Sequence, residues 1–139
     1  LMRAGEAVFV DSGAWIALAL ITDARHEQAL EQLELLQEAR ARLHTLVPVI
    51  IETFIFLDRK AYRDIALSWK DSLHERGAVK ILPCELRDLE ESWEYFRRLH
   101  LRKLSAVDAT SFVIMKRARI RVAFTFDHHF AAVGFKLVA

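Results

Sequence analysis

A chain of 139 residues, 53% of them apolar, is long enough for one domain with a sizeable core and too apolar to stay disordered. A formal net charge of +1 excludes a partner selected by global charge, so only local clustering of charge can choose one. The single cysteine, Cys84, excludes an internal disulfide, and with six scattered histidines it shows no zinc-ligand spacing, which suits a reducing, cytoplasmic setting. No apolar run reaches the roughly 18 to 20 residues of a membrane span, and the N-terminal region lacks a signal-peptide pattern.

In chain order, AVFVD (7–11) is a short apolar run ending in Asp and reads as a buried strand, and SGAWIALALI (12–21) reads as a helix. Asp23 stands where it could cap the next helix, in which Leu30, Leu33, Ala39 and Leu43 keep roughly helical spacing among charges. HTLV (44–47) reads as a short strand, and Pro48 suits the first turn of the following helix, which carries Glu52. Residues 60–76 read as an amphipathic helix with Ile65, Trp69 and Leu73 on one face and Gly77 as its stop.

AVKILP (78–83) alternates like a strand and ends at Pro83. ELRDLEESWEYFRRL (85–99) predicts a helix with Leu86, Leu89, Trp93 and Phe96 along one face. SAVDATSFVIMKRA (105–118) predicts another helix, VAFTF (122–126) a buried strand, DHHFAAV (127–133) a helical turn and FKLV (135–138) a last strand. Strands alternating with helices imply a parallel sheet covered by helices, whose ligand crevice lies beyond the carboxyl ends of the strands.

Four acidic residues stand out. Asp11 ends the first strand and Asp127 follows the fourth, although each also has an ordinary use as a helix cap. Asp108 lies three residues after Ser105, the Ser-x-x-Asp pattern of a capping box. Glu52 is too deep in its helix to cap it and is surrounded by Val49, Ile50, Ile51, Phe54, Ile55 and Phe56. Its structural alternatives are a salt bridge to a buried Arg or an exit along a polar stripe with Thr45, Thr53 or Arg59. A hard divalent cation, Mg²⁺ or Mn²⁺, accounts for all four positions together, because such ions take oxygen ligands and relieve the mutual repulsion of gathered carboxylates. Ser12 and Thr125 are close enough in sequence to orient a carboxylate or a water there.

This pattern resembles the PIN domain, and in particular the single-domain toxins of VapBC-type toxin–antitoxin pairs. The resemblance rests on VFVDSGAWIAL with Asp11, VPVIIETF with Glu52, LSAVDATSFVIM with Asp108 and AFTFDHHFAAVGFKLV with Asp127. It runs nearly the whole chain, and Asp108 to Val138 is its most specific part. Gly13 departs from it, since many members carry a second hydroxyl residue there. The resemblance implies a single domain over 1–139, a three-layer α/β/α sandwich with a mainly parallel sheet. It also implies a metal-dependent endoribonuclease leaving a 5′-phosphate and a 3′-hydroxyl, with Asp11, Glu52, Asp108 and Asp127 as catalytic metal ligands. A cognate antitoxin and a homodimer follow from the same likeness, with helices in 24–43 and 60–76 offering a binding groove or a dimer face. Receiver domains and haloacid-dehalogenase-type phosphatases fit less well: the strand at 78–82 ends in Pro83 and Cys84 where a receiver wants its phosphoacceptor Asp, Asp11 is followed by Ser12 and Gly13 where the phosphatases want Asp-x-Asp, and no Gly-rich phosphate loop is present.

A carboxylate cluster repels phosphate, so an RNA-cutting site needs basic groups around it. Between Arg97 and Arg121 stand Arg97, Arg98, Arg102, Lys103, Lys116, Arg117, Arg119 and Arg121, with Asp108 as the only acid. Arg102 and Lys103, just before the Asp108 helix, are the better candidates for RNA phosphate; Lys116, Arg117 and Arg119 also suit a helix C-terminus. His128 and His129 follow Asp127 and are candidates for RNA contact or for a structural imidazole. Two rivals remain at this stage: a housekeeping PIN-type nuclease in RNA maturation without an antitoxin, and a non-catalytic RNA-binding module.

Overall fold

The computed structural model describes residues 2–75 and 78–138. Its centre is β1 (Ala7–Val10), whose Val8, Phe9 and Val10 are all fully buried. A strand covered on both faces has no reason to alternate polar and apolar residues, which is why this run is continuously apolar. The chain continues through α1 (Ser12–Ala19), α2 (His26–Glu38), β2 (Arg42–Leu46), α3 (Val47–Lys60), α4 (Arg63–Ser72), β3 (Val79–Leu82) and α5 (Leu86–Phe96). It ends with α6 (Ala106–Arg117), β4 (Val122–Phe124), α7 (His129–Ala132) and β5 (Lys136–Leu137). The strands lie in the order β3-β2-β1-β4-β5, and every pairing is parallel. The architecture is therefore the expected α/β fold, a parallel sheet flanked by helices. None of the described helices is long and apolar enough to cross a membrane.

The strand order positions the site. From β1 the chain moves outward to β2 and β3, then returns to add β4 and β5 on the other side. The carboxyl ends of β1 and β4 therefore flank a topological switch point, where a parallel sheet opens a crevice. Val10 pairs with Phe124, so Asp11 and Thr125 emerge from adjacent strands at the same level. Beneath them the core is aromatic: Phe112 of α6 meets Phe130 edge-on at 4.9 Å and Tyr95 of α5 at 5.1 Å between ring centroids.

Several boundaries and faces differ from the sequence reading. Asp23 accepts the Arg25 N–H (2.8 Å) in the turn before α2, whose N-cap position is Arg25. The buried residues of α2 are Ala29, Gln32 and Leu36, whereas Leu30 is exposed and Leu43 belongs to β2. Val47 opens α3 instead of closing β2, because Pro48 fixes a first helical turn at once. The helix carrying Glu52 runs to Lys60, so α4 starts only at Arg63; Gly77 lies outside the described residues.

The largest difference is in α5. Its Leu86, Trp93 and Phe96 face solvent, and Asp88, Ser92 and Tyr95 face the protein. This inversion is affordable because the buried polar groups are satisfied. Asp88 accepts the Glu85 N–H (2.8 Å) and pairs with Arg117 of α6, and the Ser92 hydroxyl donates to the Leu89 carbonyl at 2.6 Å.

Candidate active site

Asp11 occupies the N-cap position of α1, yet its side chain makes no capping hydrogen bond. Its Oδ2 instead accepts the Thr125 hydroxyl at 2.9 Å, and its buried Oδ1 has no hydrogen-bond partner. The capping explanation for this residue therefore does not apply. Thr125 serves twice, since its Oγ1 also accepts the Asp127 N–H at 3.0 Å. One hydroxyl at the end of β4 thus fixes the carboxylate of β1 and the backbone of the segment that carries Asp127.

Asp108 sits in the first turn of α6, where its N–H donates to the capping Ser105 hydroxyl at 3.0 Å. The serine does the capping, and the carboxyl group of Asp108 lines the cleft. Glu52 is half-buried on α3, and its partner is a hydroxyl rather than an arginine: Ser12 donates to Oε1 at 2.5 Å. The apolar coat around Glu52 is not all core. Val49, Thr53 and Leu57 are buried, but Val47, Ile51 and Ile55 are exposed. Glu52 lies between those two faces and turns into the cleft with Ser12.

The four carboxylates share this cleft, of about 380 Å³, with Ser12 and Phe126. A Cβ added at Gly13 would meet nothing within 4 Å, so the hydroxyl residue absent there would have had room. The cluster is electrostatically costly. Burial, with the charges of Glu52 and Asp127 adding to it, pushes Asp11 up to about 6 against the pull of the Thr125 hydroxyl. Burial and the neighbouring Asp11, Asp127 and Glu52 push Asp108 up to about 9, and Asp108 shares a hydrogen bond with Asp127. Asp127 moves the other way: burial raises it, but the His129 N–H, the Asp108 carboxyl and the His129 ring together hold it below the usual range. One acid kept protonated beside an ionised one is what close carboxylates do without a compensating cation.

Arg102, Lys103 and His128 are exposed, as groups that meet RNA must be. His129 is not: it is only 6% exposed. Of the two uses the sequence left open for it, RNA contact or a structural imidazole, this burial favours the second. Part of the basic run also has structural employment. Arg117 pairs with Asp88, Arg121 with Glu6 at 2.8 Å, and Lys116 lies 5.4 Å over the Tyr95 ring. Arg25 was missed in the sequence. It is exposed, and its guanidinium lies 5.0 Å over Phe126 at the cleft, but about a hundred residues separate the two and no local pattern links them.

The PIN domain family model matches residues 8–136, and the chain belongs to that family. It is 33% identical over 129 residues to the 23S rRNA-specific endonuclease VapC20 of two Mycobacterium tuberculosis strains, covering 92% of this chain and 95% of the relative. The crystal structure of that protein, described as a sarcin–ricin loop cleaving toxin, superposes with a TM-score of 0.79 at 31% identity, covering 92% of this chain and 95% of the other. VapBC2 of Rickettsia felis, solved on a DNA fragment of its promoter, shares the fold with a TM-score of 0.67 at 12% identity, covering 94% and 96%. The likeness spans both chains almost end to end.

The raised carboxyls fix the sign of a pH effect. Between the ordinary carboxylate range and about 9, folded Asp108 keeps a proton that the unfolded chain has lost, so the folded state binds more protons. Stability in EDTA should therefore fall as pH rises through that window. Asp108→Asn should flatten the decline and raise the melting temperature by several degrees near pH 8. Melting curves from pH 5 to 9 measure it, and parallel profiles for the two proteins would contradict the assignment.

Proposed function

We propose that this protein is a Mg²⁺- or Mn²⁺-dependent endoribonuclease and the toxin of a toxin–antitoxin pair, acting in the cytoplasm. One observation carries the proposal. A buried carboxylate oxygen with no partner, Asp11 Oδ1, lies in a cleft with three further carboxyls, in a chain related end to end to an RNA endonuclease. The donor set is oxygen-rich and anionic, which fits a hard divalent ion. Asp11, Glu52, Asp108 and Asp127 would hold it. When bound, it would supply Lewis acidity, making water a better nucleophile at neutral pH and offsetting charge on the phosphate.

The remaining work belongs to the chain. Thr125 orients Asp11, and Ser12 orients Glu52. Arg102, Lys103 and His128 would grip the RNA backbone on one side of the cleft, and Arg25 on the side of Phe126. Cleavage would leave a 5′-phosphate and a 3′-hydroxyl. The non-catalytic alternative is disfavoured because a binding module gains nothing from four crowded carboxyls that repel both one another and RNA.

Purified protein should cut a mixed RNA pool, and an isolated sarcin–ricin loop, with Mn²⁺ or Mg²⁺ and not with EDTA. Glu52→Gln, checked for folding, should slow cutting about 10²- to 10³-fold. Equal cutting by variant and wild type would overturn the four-carboxylate site.

Partner binding is proposed on two separate surfaces. A groove of about 550 Å³ is walled by Trp15 and Leu18 of α1, Leu33 of α2, and Ile65 and Trp69 of α4. It draws partly on the segments expected to offer a binding groove or a dimer face, and it suits the apolar face of an amphipathic helix. The apolar stripe left outside on α5 suits a second copy of the chain. Ile65→Glu should weaken capture of the antitoxin by about 30-fold or more and leave self-association intact, whereas Trp93→Glu should do the reverse. Pull-down and sedimentation separate the two, and loss of both functions in either variant would refute the division.

A further inference from the structure

The buried ring of His129 is oriented as a ligand. Its Nε2 lies 2.8 Å from the Arg102 carbonyl oxygen, which can only accept, so Nε2 carries the proton. That leaves Nδ1 as the ring atom grouped with the carboxylates of Asp108 and Asp127. That atom is buried and has no partner that meets hydrogen-bond geometry, although it lies 2.8 Å from Asp127 Oδ1. Asp127 Oδ1 already accepts the His129 N–H at 2.9 Å. Asp127 Oδ1 and His129 Nδ1 thus stand side by side, placed so that a single positive centre can face both.

A ligating imidazole is usually held by donating its other N–H to a backbone carbonyl or a carboxylate, which fixes the tautomer and aims the free nitrogen. Arg102 does that here. One ligand atom each from Asp108, Asp127 and His129 lies within 4.8 Å of the others. Ligands about 2.1 Å from a shared ion stand roughly 3 to 4 Å apart, so the three can converge with little movement.

Resting on the metal-dependent reading above, we propose that His129 Nδ1 is a nitrogen ligand of the bound cation, beside Asp108 and Asp127. Imidazole suits ions later in the first transition series better than Mg²⁺, so the site prefers Mn²⁺. The same contact makes the basic loop part of the site's frame. The Arg102 backbone holds the imidazole, while its side chain stays exposed for phosphate.

Pulsed electron paramagnetic resonance on the Mn²⁺-loaded protein tests this without an assay of activity. The expected result is the modulation of a directly bound imidazole nitrogen, in the wild type and equally in His128→Gln. Bound Mn²⁺ with no coupled nitrogen, or a signal lost in His128→Gln, overturns the ligand assignment and leaves the carboxylate site standing. No bound Mn²⁺ at all removes the metal-dependent reading itself. In calorimetry, His129→Gln of confirmed fold should weaken Mn²⁺ binding about tenfold and Mg²⁺ binding about twofold or less. An equal loss for both ions contradicts a nitrogen ligand.

Discussion

The repulsion among four carboxyls in one crevice is the constraint around which this molecule is built. Left alone, Asp108 keeps its proton up to about pH 9 while Asp127 is held below the usual range, a compromise imposed by burial and proximity. The scaffold holds the groups together despite this. Adjacent parallel strands bring Asp11 and Thr125 to the same level, and the Thr125 hydroxyl locks both the Asp11 carboxylate and the Asp127 backbone. Ser105 caps α6 and so leaves Asp108 available to the cleft. Each of these local choices costs little, and together they concentrate negative charge where a cation can repay it.

The rest of the surface divides according to what the crevice leaves over. Helices α1, α2 and α4 wall an apolar groove lined by the edge-on pair Trp15 and Trp69, 6.0 Å between ring centroids. On α5, satisfied polar groups turn inward and the apolar stripe turns out, so the helix holds the core through Tyr95 and the Asp88–Arg117 pair. Charge along the α5–α6 segment is divided in the same way. Arg117 and Arg121 are committed to ion pairs, and the loop carrying Arg102 and Lys103 remains exposed.

The parallel α/β plan was legible because its evidence is local and repeated: short apolar runs ending in Asp, helical spacing, and Pro48 at a helix start. The carboxylates were legible for a different reason. Glu52 in an apolar helix is improbable without a purpose, and the topology of a parallel sheet says where strand ends meet. What stayed hidden depends on partners far apart in the chain. The inversion of α5 needs Arg117, the cation over Phe126 needs Arg25, and the orientation of the His129 ring needs the Arg102 carbonyl. Hydrophobic spacing alone cannot tell a core face from a docking face, and Leu86, Trp93 and Phe96 show the same period in either role.

The central claim is that a divalent cation replaces protons in the carboxylate cluster. The most direct measurement is calorimetric titration of Mn²⁺ into metal-free protein at pH 7, repeated in buffers of different ionisation enthalpy, which counts the protons released. With Asp108 pushed up to about 9 and Asp11 to about 6, binding should expel about one proton per ion, chiefly from Asp108, and Asp108→Asn should abolish the release. Binding without proton release, or no binding at all, would contradict the account.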